Sequence, residues 1–181
     1  AGFLDQAVGI EYIEAQKNVE SVRYTDPDDL FLNGLIDSKK GTCGNMPTLH
    51  VAIGRRLGWP VSLASVGSHT VCRYSDGEVV YNIEATATDH GGMFAAGTDE
   101  DYIEKFDLSK RAIATGSELN SMTARQMLGY FISLRARHFA DTGNMERADR
   151  DYALARALLP NHRRTYRASV EAAMFKGMTL F

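Results

Sequence analysis

The feature that most constrains the fold is a change of hydrophobic period at Pro60. Gly58 and Pro60 supply a stop signal for the helical pattern that precedes them. In that pattern apolar side chains recur at a helical spacing and predict one buried face, formed by Met46, Leu49, Ile53 and Leu57. Beyond Pro60, three short runs are rich in β-branched and aromatic residues. The sequence therefore predicts a helix over residues 46–57, followed by strands over 61–66, 69–74 and 78–84.

The residues before this helix also carry helical patterns. Apolar residues between 3 and 18 predict a first helix. Asp26-Pro27-Asp28-Asp29 combines a cap, a proline and acidic residues, and so predicts a second helix that runs to about Asp37. Small and turn-forming residues dominate positions 86–116, where the pattern assigns no element.

The last third of the chain returns to helical periodicity. Aromatic and small residues, a glycine and a proline follow the spacing of one tetratricopeptide unit, and a plain helical hairpin fits the same pattern. We predict two domains, a core over residues 1–116 and a helical tail over 117–181. The residues that carry the repeat pattern are Ile132, Ala136, Phe139, Gly143, Ala148, Tyr152, Ala155 and Pro160.

Charge and composition exclude several classes of protein. The 181 residues include 20 basic and 23 acidic side chains, with a net charge of −3, so a nucleic-acid partner is not expected. No apolar run approaches a membrane-spanning length, and the first residues lack the pattern of a signal peptide. We expect a soluble, cytoplasmic protein with no membrane partner, in which Cys43 and Cys72 are free thiols.

Cys43 lies directly before the predicted helix, whose first turn contains Pro47. The positive end of a helix stabilises a thiolate, and free backbone N–H groups there can hold an oxyanion, with Asn45 as a possible helper. The sequence thus favours Cys43 as a candidate nucleophile. The alternative is a small buried apolar residue, which is the commoner role of a lone cysteine.

The Asp76-Gly77 pair predicts a two-residue hairpin loop. That loop would place Cys72 opposite Tyr81 and His69 opposite Glu84, with both members of each pair on one face of the sheet. A carboxylate can orient a histidine that acts as general base for a cysteine nucleophile. The alternative is a half-exposed polar pair without a catalytic role.

A zinc site is a weaker interpretation of the same residues. Cys43, His69, Asp89 and His90 offer ligand atoms, but they lack the paired spacings typical of zinc sites. We therefore expect no metal and no other cofactor. Cys72 points to the opposite sheet face from His69, which indicates a structural residue.

Four stretches taken in order resemble the core of the transglutaminase-like superfamily. The resemblance covers roughly residues 27–95, and some bacterial members of the superfamily carry tetratricopeptide segments after the core. It implies an α+β fold, in which helices pack on a small antiparallel sheet and a helical tail follows. The stretches are Gly41-Thr42-Cys43-Gly44-Asn45, Arg56-Leu57-Gly58-Trp59-Pro60-Val61, Gly67-Ser68-His69-Thr70-Val71 and Tyr81-Asn82-Ile83-Glu84-Ala85-Thr86.

The resemblance implies a catalytic triad of Cys43, His69 and Glu84, as nucleophile, general base and orienting carboxylate. The third residue is usually Asp in the superfamily, and Asp89 is the second candidate here. The implied activity is acyl transfer or hydrolysis at the amide carbonyl of a peptide or other amide-bearing substrate, through a thioester on Cys43. The alternative is an inactive scaffold that binds a protein partner through the helical tail.

Overall fold

The computed structural model describes residues 8–14, 23–86 and 96–178. The chain forms two compact units, the first comprising Ala1–Val22 and Asp28–Met122, and the second Arg23–Pro27 and Thr123–Phe181. The first unit combines helices with a small sheet, whereas the described part of the second is helical apart from its connections. This is the α+β architecture with a helical C-terminal region that the sequence predicts.

A four-stranded antiparallel sheet forms the first unit's framework. Its strands follow chain order: β3 (Val61–Val66), β4 (His69–Ser75), β5 (Val80–Ile83) and β6 (Ala96–Gly97). The three strands predicted from the sequence are thus present, and β5 is shorter than predicted. Every residue of β3 is buried, so this strand at one side of the sheet is covered by other parts of the chain.

The predicted register between β4 and β5 is wrong by two residues. Cys72 lies opposite Ile83, and Tyr74 opposite Tyr81, instead of the predicted pairing of Cys72 with Tyr81. The physical reason is a longer turn, over residues 76–79, in which the Asp76 carboxylate accepts N–H bonds from Glu78 and Val79 at 3.0 and 2.8 Å. A shift of two residues keeps every side chain on its predicted face.

The start of the described chain forms a strand where the sequence predicts a helix. β1 (Glu11–Tyr12) pairs in parallel with β2 (Lys40–Gly41). Backbone bonds from Glu11 to Lys39 and from Ile13 to Gly41 hold it there, at 2.9 and 2.8 Å. This long-range pairing overrides the local helical pattern at residues 8–14, and the rest of the predicted helix lies outside the described residues.

The predicted second helix is split into two pieces. A short 3-10 helix (Pro27–Asp29) is followed by α1 (Leu32–Ser38), with Phe31 extended between them. The Asn45 amide donates to the carbonyls of Asp29 and Phe31 at 3.1 and 3.3 Å. The Asp29 carbonyl thus accepts side-chain bonds, whereas the Phe31 carbonyl also accepts the Leu35 N–H at 3.3 Å, so α1 begins only after Phe31.

The predicted central helix is present as α2 (Met46–Arg56). Its buried face differs from the predicted one, since Val51 and Gly54 are buried whereas Ile53 and Leu57 are exposed. Gly54 explains the difference, because a Cβ at this position would come within 2.7 Å of the Val61 side chain. The helix and β3 therefore approach each other closely at a residue without a side chain.

Residues 96–122 cover one face and one edge of the sheet. They contain β6, α3 (Asp99–Phe106) and α4 (Lys110–Ala114). Farther along, Leu119 and Met122 donate backbone N–H bonds to the Ser65 and Leu63 carbonyls of β3, both at 2.9 Å. A core cluster joins the helices to the sheet, and consists of Ala64, Val66, Val71, Tyr102, Leu108 and Leu119.

The described residues of the second unit form three helices: α5 (Ala124–Asp141), α6 (Met145–Leu158) and α7 (Arg163–Met178). The turn between α5 and α6 contains Gly143 at φ +81°, which is a conformation that favours glycine. The small residues predicted at the helix crossing, Ala136, Ala148 and Ala155, are fully buried. The Tyr152 side chain is only 2% exposed. The assignment to a tetratricopeptide unit, and the domain boundary at residue 116, stay predictions.

Within the ranges that the structure describes, no helix has both the length and the apolar character needed to cross a membrane.

Candidate active site

Cys43 is held in a turn immediately before α2. The buried Asn45 side chain accepts the Thr42 N–H at 2.8 Å, and the Thr42 hydroxyl accepts the Gly44 N–H at 3.1 Å. The amide nitrogen of Asn45 donates to backbone carbonyls of the preceding segment. The structure therefore assigns Asn45 to shaping the turn, and the suggestion that its amide helps to hold an oxyanion is wrong.

His69 and Glu84 are joined by a short hydrogen bond. His69 Nε2 lies 2.8 Å from Glu84 Oε1 and 2.9 Å from Oε2. Their side chains are only 17% and 7% exposed, so little solvent competes for the contact. Glu84 lies just beyond the last residue of β5 and is diagonal to His69, which suits the longer reach of Glu compared with Asp.

Thr86 fixes the orientation of the Glu84 carboxylate. Its backbone N–H and its hydroxyl donate to Glu84 Oε1 at 3.0 and 2.7 Å. Burial alone would raise the pKa of Glu84, but the hydrogen bond and positive charge of His69, together with the bonds from Thr86, lower that pKa to about 2. The carboxylate is therefore ionised at neutral pH and acts only as an acceptor.

His69 also hydrogen-bonds the side chain of Cys43. Since Nε2 faces Glu84, the other ring nitrogen, Nδ1, is the one available to the thiol. Burial alone would lower the pKa of His69, but the hydrogen bonds to Cys43 and Glu84, and the negative charge of both groups, raise it to about 9. The geometry thus favours a protonated imidazole between two acidic groups.

An aromatic stack lies against the His69 ring. The Phe106 ring is nearly parallel to it, with centroids 6.1 Å apart, and the Tyr102 ring stacks on Phe106 with centroids 5.7 Å apart. Both residues belong to α3, whose first residue, Asp99, binds the Arg73 guanidinium at 2.5 and 2.9 Å. The sequence pattern predicted no helix at these positions, so the contact of Phe106 with His69 was not predicted.

Tyr12 is a second contact that the sequence pattern missed. Its hydroxyl hydrogen-bonds both the side chain and the backbone N–H of Cys43. Burial, and after it the negative charge of Cys43, raises the pKa of Tyr12 to about 12, so the phenol keeps its proton at neutral pH. The local sign of strand β1 in the sequence is weak: Tyr12 is an aromatic residue that stands next to the β-branched Ile13.

The remaining candidates lie apart from this cluster. Cys72 is 1% exposed, and burial raises the pKa of its thiol to about 12, as suits an unreactive core residue. The second candidate carboxylate, Asp89, and the potential ligand His90 lie outside the described residues. Among the described ranges, no group of three or more His, Cys, Asp or Glu side chains is arranged to hold a metal ion.

The structure thus brings together a thiol, an imidazole and a carboxylate at the junction of a helix N-terminus and an antiparallel sheet. This combination is typical of enzymes that use a cysteine nucleophile. The sequence model of the transglutaminase-like superfamily matches residues 14–133, so the chain belongs to that superfamily. Neither the curated proteins nor the solved structures gave a significant match.

Proposed function

We propose that this protein is a cysteine-dependent enzyme that transfers or hydrolyses acyl groups at an amide or peptide carbonyl. The observation that supports this proposal is the position of His69, which is hydrogen-bonded to Cys43 on one side and to Glu84 on the other. Membership of the transglutaminase-like superfamily supports the same class of chemistry.

In the first half of the reaction, the Cys43 thiolate attacks the carbonyl carbon of the substrate. The new S–C bond moves the carbonyl π electrons onto oxygen, where the backbone N–H of Cys43 stabilises the charge. When the C–N bond breaks, the imidazolium of His69 gives its proton to the departing amine. The products of this half are a free amine and a thioester on Cys43.

In the second half, water or an acceptor amine attacks the thioester. His69, now neutral, takes the proton of the attacking group, and the thiolate of Cys43 is released. Glu84 keeps the imidazole in one orientation and stabilises its positive charge throughout the cycle. His69 carries every proton transfer in this scheme. The substrate class is a peptide or another amide-bearing molecule.

Thiol alkylation tests the activation of Cys43 without knowledge of the substrate. The folded chain is treated with iodoacetamide at mildly acidic pH, and the labelled residue is identified by intact-mass and peptide analysis. We expect Cys43 to react at least ~10-fold faster than glutathione, because a thiolate paired with an imidazolium persists at that pH. Cys72 is the internal control, and equal rates for Cys43 and glutathione would refute the proposal.

The second candidate function is a scaffold that binds a protein partner through the helical tail. The observation in its favour is an exposed apolar stripe on α7, formed by Tyr166, Val170 and Met174 at intervals of four residues. Affinity purification separates the two functions. A partner retained by Cys43→Ala but lost from a Tyr166→Ser, Met174→Ser double variant favours the scaffold, and loss of amidase activity in Cys43→Ala favours the enzyme.

A further inference from the structure

Tyr12 reaches Cys43 because of the way two short strands pair. In the parallel pairing of β1 with β2, Tyr12 lies opposite Gly41, which precedes Cys43 by two residues. The N–H of Ile13, the residue after Tyr12, donates to the Gly41 carbonyl at 2.8 Å. Backbone hydrogen bonds therefore fix the position of the Tyr12 backbone, whatever contacts its side chain makes.

The hydroxyl of Tyr12 contacts two parts of the nucleophilic residue at once. It bonds the Cys43 side chain, and it also bonds the backbone N–H of Cys43. That N–H is a donor that an oxyanion on the attacked carbon would use, because the carbon is bonded to Sγ of the same residue. The hydroxyl thus lies beside both the attacking atom and the place where negative charge develops.

Packing alone does not explain these contacts. Tyr12 is half-buried against an apolar cluster that includes Ile10, Leu35 and Met46, and a phenylalanine ring would fill the same space. The hydroxyl adds a group that both donates and accepts a hydrogen bond. Tyr12 keeps its proton at neutral pH, so the phenol can donate to a charged neighbour.

We propose that Tyr12 is a further catalytic residue, whose O–H donates to the Cys43 thiolate in the free enzyme and to the oxyanion in the tetrahedral intermediate. This inference rests on the proposed function. During attack the Sγ–C bond forms, and the carbonyl π electrons move to oxygen, which accepts bonds from the Tyr12 O–H and the Cys43 N–H. On collapse those electrons re-form C=O, the C–N bond breaks, and His69 protonates the amine. Tyr12 keeps its own proton throughout.

Two chemical probes separate the two contacts. Iodoacetamide reacts with Cys43 by displacement at a CH₂ group and forms no oxyanion, whereas p-nitrophenyl acetate acylates the thiolate through a tetrahedral oxyanion. Both reactions are followed by intact mass on the full chain, and the second also by release of p-nitrophenolate. The variant is Tyr12→Phe, and the matched control is Tyr81→Phe, since Tyr81 is exposed on β5.

We expect Tyr12→Phe to slow alkylation below neutral pH by about tenfold, as the thiolate loses one charge-assisted donor. Acylation should slow by about a hundredfold or more, because an oxyanion donor is lost as well. Tyr81→Phe should react like the wild type in both assays, and thermal melting should be unchanged in both variants. The neighbouring titratable groups, His69 and Glu84, are the same in the wild type and in both variants. They therefore do not account for a difference in reaction rate.

Three outcomes would overturn the inference. Equal slowing of both reactions would show that Tyr12 contacts only the thiolate, and no slowing of either would exclude both contacts. If wild-type Cys43 reacts with each probe no faster than glutathione, the proposed function itself fails, and the role of Tyr12 fails with it. This last result is seen in the wild type alone and is therefore distinguishable from the first two.

Discussion

His69 Nε2 lies almost equally far from both carboxylate oxygens of Glu84, at 2.8 and 2.9 Å. This shared contact limits rotation of the imidazole, because turning the ring would lengthen at least one of the two distances. The Thr86 bonds to Oε1 hold the carboxylate in turn. The orientation of the imidazole is thus fixed by the Glu84 carboxylate, which the two bonds from Thr86 hold in place.

Replacing Glu84 with Gln should reduce the reactivity of Cys43 while leaving the fold intact. Gln keeps the size of the side chain but removes the negative charge that stabilises the imidazolium. We expect iodoacetamide labelling of Cys43 at mildly acidic pH to slow at least ~10-fold. Glu84→Asp is the matched variant and should retain more reactivity. Wild-type rates in Glu84→Gln would contradict the role of the carboxylate.

The His69–Glu84 pair should make stability depend on pH. The pKa of His69 rises from 6.5 to about 9 on folding, so its contribution is complete below 6.5 and is lost as the pH rises through 9. The pKa of Glu84 falls from 4.5 to about 2, so its contribution is complete above 4.5 and is lost as the pH falls through 2. The pair therefore stabilises the fold most between 4.5 and 6.5.

Urea unfolding at about pH 5.5 and about pH 9.5 checks this dependence. The difference in unfolding free energy between the wild type and Glu84→Gln should shrink by about 1–3 kcal/mol at the higher pH. Comparing the two chains at each pH removes the effect of the other titratable groups. A difference that stays constant between the two conditions would show that the pair does not titrate as proposed.

Asn45→Asp should destabilise the turn that carries Cys43. The Asn45 amide is fully buried and donates to the carbonyls of Asp29 and Phe31, and a carboxylate would set oxygen against oxygen there. We expect a loss of about 3 kcal/mol or more in unfolding free energy, measured by chemical denaturation. Asn120→Asp, at an exposed position, should change it by less than about 0.5 kcal/mol.

Phe106→Leu should lower the pKa of His69. The face of an aromatic ring stabilises a positive charge, and the Phe106 ring is nearly parallel to the imidazole at 6.1 Å. We expect a decrease of less than about one pKa unit, read from the NMR titration of the His69 ring protons after assignment with His69→Gln. Phe106→Tyr keeps the ring and should titrate like the wild type; an equal shift in both variants would point to repacking.

Gly129→Ala should weaken the second unit despite the higher helix propensity of Ala. A Cβ at position 129 would lie 2.8 Å from the Leu158 Cβ and 3.2 Å from the backbone nitrogen of Leu159. These atoms cannot move without shifting α6, so we expect a loss of about 1–3 kcal/mol in thermal or chemical unfolding. A matched surface change, Leu128→Ala on the same helix, should cost less, and a stabilised Gly129→Ala would refute the close packing.

The elements that the sequence predicts well are those with a strong local pattern. The three strands after Pro60 and the helix beginning at Met46 each carry their own periodicity and stop signals. Because the side-chain period of a strand is two, the face shared by His69 and Glu84 was predictable even though the register was not. The register depended on the Asp76 side chain, whose bonds to the turn lengthen the loop.

The parts that the sequence does not predict depend on contacts between distant segments. Tyr12 comes next to Cys43 through pairing with Gly41, which no periodicity within residues 3–18 reveals. Phe106 reaches His69 because Asp99 anchors its helix to Arg73 on the sheet. In both cases the local pattern is weak or misleading, and the long-range hydrogen bond decides the structure.

The backbone bonds from Leu119 and Met122 to β3 also bear on how the protein behaves in a crowded solution. A strand with free carbonyls along its edge is a template on which another copy can add a strand and begin a fibre. Here two of those carbonyls, on Leu63 and Ser65, are already bonded within the chain. A substitution that detaches the segment of Leu119 and Met122 from β3 should therefore cause aggregation before it changes the chemistry of Cys43.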